Sequence, residues 1–253
     1  MDRWKDRVAV VTGASSGIGE TIARSLAEHG MKVAALARRF DRLQKLQDDC
    51  KNYIGSLKSY KCDITNENEI NSTIKLIVKD LGPVSVLVNN AAVYECIPLT
   101  DTSQGSCRNT HETNVIGLVT ITQHVVEIMK KHNIDDGHII NINSVGGHSI
   151  LSVLGTGNYA ASKHALLVLT ECLKNELAAM KSKIRVTSIS PGLVDTEMAS
   201  IFTHNSVHHY PFLTTNDVLE CLLFVLSVKP HVNISELIVQ PVGETYATLS
   251  SAH

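Results

Sequence analysis

Short apolar runs rich in valine and isoleucine recur along the chain, separated by longer stretches in which apolar residues return at helical spacing. Seven of these runs read as strands: VAVV (8–11), KVAAL (32–36), SYKCDI (59–64), VSVLVNN (84–90), HIININS (138–144), IRVTSIS (184–190) and ELIVQ (236–240). Runs this apolar on both alternating faces suit strands buried on both sides, and the helical stretches between them suit right-handed crossovers. The pattern predicts an α/β fold, a doubly wound, seven-stranded parallel sheet flanked by helices, with residues 1–253 forming a single domain. No repeat, linker or low-complexity segment interrupts it. The one long irregular stretch, 193–216 (LVDTEMASIFTHNSVHHYPFLTTN), is expected to be a lid or binding element.

Composition narrows the function classes. Of 253 residues, 43% are hydrophobic and 19% charged, enough apolar material for a sizeable core. A formal net charge of −2 supplies no general attraction for nucleic acid or for an anionic membrane. The six cysteines lie scattered without a C-x-x-C pair or a short-spaced Cys/His set, so reduced thiols, mostly filling the core, are expected and a metal site is not. The opening MDRWKDRVAVVTGAS is charged and then becomes strand, unlike an export signal, and no apolar run reaches the roughly 18 to 20 residues that span a bilayer. A cytoplasmic protein is expected, in which the N-x-S/T matches at Asn71 and Asn233 carry no meaning.

After the first strand comes TGASSGIG, with glycines at 13, 17 and 19, leading into a helical pattern. Such a turn brings backbone close to a ligand and offers the free N–H groups of a helix N-terminus to a pyrophosphate, the arrangement of a Rossmann fold that holds a dinucleotide. Gly13, Ser15, Ser16, Gly17, Ile18 and Gly19 are the candidate contacts. The spacing is G-x-x-x-G-x-G, so its weight comes from its place after the first strand of a βαβ array. At the end of the second strand an NAD site usually carries a carboxylate for the ribose 2′-hydroxyl; here stand Ala37, Arg38 and Arg39. Arg38 and Arg39 suit the 2′-phosphate of NADP, while a solvated basic pair, with Asp41 nearby, is the alternative.

In NYAASKH (158–164), Tyr159 and Lys163 are four residues apart on a predicted helix and therefore neighbours on one face. A phenol has a pKa near 10; a nearby ammonium, together with an oxidised nicotinamide, favours the phenolate and makes the tyrosine a usable acid and base near neutrality. The small residues between them leave room for a cofactor to lie against the helix.

TGASSGIG, the NNAA of 89–92, Asn114 in TNVIG, Ser144 at the end of HIININS, YAASK and the PG of 191–192 stand in an order that resembles the short-chain dehydrogenase/reductase family over nearly the whole chain. Within that family the chain looks most like the animal group that includes insect farnesol dehydrogenases and the "member 11" reductases, through DRWKDRVAVVTGASSGIG and DDGHIININSVGGH. The resemblance implies a catalytic tetrad: Tyr159 exchanges the proton, Lys163 binds the nicotinamide ribose and lowers the tyrosine pKa, Ser144 holds the substrate oxygen, and Asn114 anchors a water. It also implies that Asp63 meets the adenine amino group with Ile64 beside the ring, that Asn90 and Ala91 line the adenosine side, and that Pro191, Gly192, Val194 and Thr196 close over the nicotinamide carboxamide and diphosphate. Two departures from the family pattern stand out: Ala92 replaces the glycine of NNAG, and Ser144 and Tyr159 are 15 residues apart, which lengthens the intervening loop.

The substrate pocket is expected between 145–158 and 193–216, where Leu151, Val153, Leu154, Ile201, Phe202, Tyr210 and Phe212 are apolar. A hydrophobic alcohol or carbonyl compound is therefore expected, with a farnesol-type isoprenoid alcohol as lead and a steroid or general carbonyl substrate as alternatives. A non-catalytic NADP-binding sensor or scaffold on the same fold is the competing class. His204, His208 and His209 share one loop with no acidic or cysteine partner, a poor metal site. HALLVLTECL (164–173) is apolar on more than one stripe; the resemblance implies that a second copy covers it in a homodimer or homotetramer, and deep burial within one chain explains the same pattern.

Overall fold

The computed structural model describes residues 1–151, 153–200 and 211–244. All seven strands lie in one parallel sheet: β1 (Val8–Thr12), β2 (Lys32–Ala37), β3 (Ser56–Lys61), β4 (Val84–Asn89), β5 (His138–Ile142), β6 (Arg185–Pro191) and β7 (Glu236–Val239), ordered β3-β2-β1-β4-β5-β6-β7. Helices α1 (Gly17–Glu28), α2 (Phe40–Asp49), α3 (Glu67–Leu81), α4 (Gln104–His111), α5 (Leu118–Lys131), α6 (Gly157–Ala179) and α7 (Thr215–Ser227) connect them. The doubly wound parallel arrangement expected from the pattern is the observed one.

Alternation along each strand splits the core in two. Ala9, Val11, Val33, Ala35, Val86 and Val88 point to the face covered by α1 and α7, through Ile22, Leu26, Val218 and Leu222. Val8, Val10, Ala34, Leu36 and Leu87 point to the other, against Ile70, Ile74 and Ile77 of α3 and Ile121, Val125 and Met129 of α5. Strands β1, β4, β5 and β6 are buried at every residue, polar positions such as Asn89, Asn141, Thr187 and Ser190 included.

The edges of the sheet depart from that expectation. β3 lies three residues before the predicted 59–64, and as an edge strand it buries only Leu57 on one face and Tyr60 on the other. The strand stops where Asp63 turns the chain: its Oδ1 accepts from the Thr65 N–H at 3.0 Å and from the Thr65 hydroxyl at 2.8 Å, so Cys62-Asp63-Ile64 leads out of the sheet. β7, the other edge, has no fully buried residue. The cysteines depart too. Only Cys50 and Cys62 are buried, whereas Cys96, Cys107 and Cys172 are exposed and Cys221 is intermediate; all six are free thiols, but most do not fill the core.

Two polar devices fix the helices to the sheet. Asn89 donates to Thr122 of α5 and to Asn141 of β5, both at 2.9 Å, and Asn141 donates to Thr170 of α6 at 2.8 Å. A buried chain of this kind sets α6 in one position above the sheet, because slippage would orphan several amides at once. At the opposite end, Trp4 is fully buried, donates its indole N–H to the Leu226 carbonyl of α7 at 2.8 Å, and has the guanidinium groups of Arg3, Arg7 and Arg185 within 4.6, 5.1 and 5.8 Å of its ring.

Trp4→Ala removes the largest buried side chain of that cluster together with its hydrogen bond and is expected to cost about 3–5 kcal/mol. Urea unfolding followed by circular dichroism checks it; a loss under about 1 kcal/mol would show that the N-terminal turn is not integral to the fold.

Candidate functional site

The strand order reverses between β1 and β4, so the loops leaving their carboxyl ends diverge and open a crevice. A cleft of about 540 Å³ lies there, in the range of small-molecule sites. Its floor is the glycine turn. Gly13 has φ +66°, a left-handed conformation, and a Cβ on it would stand 2.8 Å from Ala91 Cα and 2.9 Å from the Asn90 amide nitrogen. The loop after β4 thus closes directly on the turn. Asn90 ties the two together by donating to the Thr12 and Gly13 carbonyls at 2.9 and 3.3 Å, and the Thr12 hydroxyl accepts from the Asn90 and Ala91 N–H groups, each at 3.0 Å. The same amide occupies the place a Gly19 side chain would need. Asn90, Ala91 and Ala92 also line the cleft, so Asn90 is both wall and clamp.

Ser16 is the N-cap of α1 and makes no side-chain capping bond, which leaves the first N–H groups of the helix, at a cleft wall that includes Ser15, Gly17 and Ile18, for an anion. Both sequence-predicted arginines line this cleft, with different partners. Arg39 donates to Ser15 Oγ at 3.1 Å and Ser16 Oγ at 2.5 Å, while Arg38 is mostly exposed, 4.0 Å from Asp63. Asp63 and Ile64 complete that end of the wall. Glycine turn, uncapped helix start and arginines together fit a dinucleotide carrying an extra phosphate.

At the other end the cleft reaches Tyr159 and Lys163. Lys163 is buried, its Nζ donates to the Ile142 carbonyl at 2.9 Å and lies 5.7 Å from the centre of the Tyr159 ring, so the one-face placement expected from the helix holds. Ser144, just beyond β5, accepts the Gly146 N–H at 3.0 Å and lines the wall beside Tyr159. Asn114 is reached through a π-helical turn, Glu112–Gly117, between α4 and α5. Its side chain grips the Val93 backbone, accepting from the N–H at 2.8 Å and donating to the carbonyl at 3.0 Å, and donates to Ser162 Oγ at 3.0 Å. It makes no direct bond to Lys163 among the described residues.

The electrostatics of the protein alone run opposite to the expected depression of the tyrosine. Burial pushes the Tyr159 phenol up to about 12, offset in part by the neighbouring Ser144 hydroxyl, and burial lowers Lys163 to about 8. In a dry wall both charged forms are penalised, and that outweighs their attraction.

A second cleft, of about 150 Å³, shares Tyr159, Tyr94, Asn143 and Thr196 with the first and continues past Ser144. Leu151 and Val153 line it as expected, joined by Ile18, Val145, Leu193 and Met198. Leu154 and Phe212 do not: they are 73% and 42% exposed, since the loop turns outward at Gly155 and the chain at 213 is drawn in by a bridge between Val194 and Leu213. Ile201, Phe202, Tyr210 and the three histidines 204, 208 and 209 lie outside the described residues, as does the whole 201–210 part of the expected lid. Pro191, Gly192 and Val194 border this inner cleft, and Thr196 borders both.

Sequence reasoning passed over several neighbours. Tyr94 stands edge-on to Tyr159 with ring centres 5.1 Å apart, and its signal, an aromatic two residues after NNAA, is slight. Asn143 is buried beside Ser144 with neither end of its amide hydrogen-bonded. Glu244 accepts the Leu193 N–H at 2.8 Å and lies over Gly192, where only a glycine leaves it space, and nothing in a carboxylate 51 residues downstream announces that contact.

The short chain dehydrogenase family profile matches residues 7–206. A farnesol dehydrogenase from Aedes aegypti is 43% identical over 248 residues, covering 97% of this chain and 100% of that one. A dehydrogenase/reductase SDR family member 11 from Gallus gallus is 41% identical, covering 95% and 98%. Among solved structures, a closed serine dehydrogenase complexed with NADP+ superposes with a TM-score of 0.84 at 32% identity, covering 95% of this chain and 97% of that one. The chain belongs to the short-chain dehydrogenase family.

Because the Lys163 pKa falls below its ordinary value, the unfolded chain binds more protons between about pH 8 and 10.5, and the burial penalty is fully present below pH 8. Stability contributed at this site therefore rises with pH through that window. Lys163→Met removes the titration, so its stability advantage over the wild type is expected to shrink, or its deficit to grow, by about 2 kcal/mol between roughly pH 7 and 9.5. Urea midpoints of both proteins at the two pH values test this; a pH-independent difference contradicts it.

Proposed function

We propose that the chain is an NADP-dependent oxidoreductase that interconverts a hydrophobic alcohol and its carbonyl, with a farnesol-type isoprenoid alcohol as the lead substrate. The observation that carries this reading is that Tyr159 stands in the wall of both clefts, with Ser144 beside it in the inner one and Lys163 one helical turn away. When bound, NADP supplies or accepts the hydride. Arg38 and Arg39 would hold its 2′-phosphate, the N–H groups at the start of α1 its diphosphate, and Asp63, Ile64, Asn90 and Ala91 its adenosine. Pro191, Gly192, Val194 and Thr196 would border the nicotinamide end.

The chain's own residues then divide the work. Ser144 donates to the substrate oxygen and keeps it beside the Tyr159 hydroxyl. Tyr159 passes its proton to that oxygen in reduction and takes it back in oxidation. Lys163, an ammonium for the most part at neutral pH with its pKa of about 8, supplies the positive charge that favours proton release from the phenol. Asn114, held on Val93 and Ser162, keeps the π-helical turn in place behind the lysine.

The inner cleft supports a hydrophobic substrate, since about half of its lining is aliphatic, with hydroxyl groups of Ser144, Tyr159, Thr156, Tyr94 and Thr196 and the Glu244 carboxylate as its polar points. The farnesol dehydrogenase relative supports an isoprenoid alcohol within that class. No described helix is long and apolar enough to cross a membrane. A second copy of the chain is the partner proposed for α6, whose Val168 is 62% exposed within an otherwise aliphatic stretch.

Incubation with NADP+ and a panel of isoprenoid, steroid and small secondary alcohols, followed by the absorbance of reduced nicotinamide, tests the reading. The largest kcat/KM is expected for an isoprenoid alcohol, and Tyr159→Phe is expected to lower kcat by about 10²- to 10⁴-fold while NADP+ still binds. Retained NADP+ binding with no turnover across the panel would favour a nucleotide-binding protein without catalysis.

A further inference from the structure

One carboxylate joins two arginines at the mouth of the larger cleft. Glu197 opens the 3-10 turn Glu197–Ala199, directly after Thr196. Its Oε2 accepts from Arg39 at 2.8 Å and its Oε1 from Arg42 at 2.5 Å. Arg39 Nε and Nη2 donate to Ser15 and Ser16, so Glu197, on Nη1, takes the outer edge of a guanidinium whose inner edge is fixed on the glycine turn. Two oxygens of one anion shared between two guanidiniums is also how such groups grip a phosphate. The side chains are roughly half exposed, at 44%, 56% and 42% for Arg39, Glu197 and Arg42, and exposed pairs of this sort hold weakly. Nearby, Arg38 lies 4.0 Å from Asp63, so the cluster of three arginines faces two carboxylates.

We propose that Glu197 is an internal competitor for the nucleotide's 2′-phosphate: it neutralises Arg39 and Arg42 until the phosphate replaces it, and so sets how strongly the cleft prefers a 2′-phosphorylated nucleotide over a 2′-hydroxyl one. The inference rests on the placement of NADP in this cleft proposed above. A phosphate approaching Arg39 meets a carboxylate of its own sign and has to displace it, whereas a nucleotide with a free 2′-hydroxyl has no claim on the arginines and leaves the bridge intact. Displacement also frees the segment after β6 from α2. Occupancy of the adenosine end is thereby communicated to Thr196, which borders both clefts.

Isothermal titration of the full chain with adenosine 2′,5′-bisphosphate and with 5′-AMP isolates the 2′-phosphate without any turnover. In Glu197→Gln the bisphosphate is expected to bind about three- to tenfold more tightly, the size of a like-charge repulsion near the surface, with 5′-AMP unchanged within about twofold. The gain is expected to vanish when Arg39→Ala and Arg42→Ala are added, because the competition runs through those two groups. A wild-type preference for the bisphosphate that is unchanged or weakened in Glu197→Gln, or an equal tightening of both ligands, overturns the role of Glu197 and leaves the cofactor reading standing. A wild-type protein with no preference for the bisphosphate overturns the cofactor reading and this inference together.

Discussion

A phenol and an ammonium set into one poorly hydrated wall are the constraint from which the rest of this site follows. Burial raises the cost of ionising Tyr159 and of protonating Lys163, and the protein alone keeps the tyrosine neutral, with a pKa of about 12. At an effective dielectric of about 20, a unit charge at their separation is worth roughly 3 kcal/mol, or about two pKa units, too little to produce a free phenolate near neutrality. The chemistry suited to such a pair is proton transfer in step with charge developing on the substrate oxygen. There the phenol would never stand ionised by itself, and Ser144, in the proposed role, would share the load by hydrogen bonding.

That demand explains the scaffold around the pair. Proton transfer in step with bond making needs the donor held within a fraction of an ångström, and the supports of α6 are accordingly buried and polar. The Asn89–Asn141–Thr170 chain fixes the helix above the sheet, Lys163 is anchored on Ile142, and Asn114 secures Val93 on one side and Ser162 on the other. The glycine turn is held from the opposite direction by Asn90. What looks in sequence like allowance for a ligand is, at Gly13 and Gly19, first an allowance for the neighbouring loop to close against the turn.

The sheet, its order of helices and the Tyr159–Lys163 face were legible because each is written in local periodicity: long apolar runs for strands buried on both sides, and a four-residue spacing on a helix. Where periodicity weakens, legibility ends. β3 is an edge with only Leu57 and Tyr60 buried among serines and lysines, and its apparent continuation, Cys62-Asp63-Ile64, is turned out by an aspartate whose side chain bonds only two residues ahead. The cysteines at 96, 107 and 172 were misplaced because hydrophobic character alone does not say which face of a helix or loop a residue occupies. Arg38 and Arg39 were visible as a pair, but that Arg39 is the one fastened to the glycine turn and to Glu197, and that Glu244 holds Leu193, depends on contacts between segments far apart in sequence.

Those two carboxylates give the segment after β6 its character. Glu244 holds the Leu193 N–H at one end, Glu197 holds Arg39 and Arg42 at the other, and the Val194–Leu213 bridge lies between. Apart from the Tyr159 neighbourhood and the Ile18 end of the glycine turn, this is where the walls of the two clefts coincide, through Thr196 and Met198. Its inner anchor is a carboxylate on a backbone amide, shielded by the cleft; its outer anchor is a pair of half-exposed ion pairs, which salt and competing anions weaken most readily. Of the two ends, the one near the arginines is therefore the one that yields first, and any motion of this segment is hinged toward Leu193, close to where Ser144 and Tyr159 would hold the substrate oxygen.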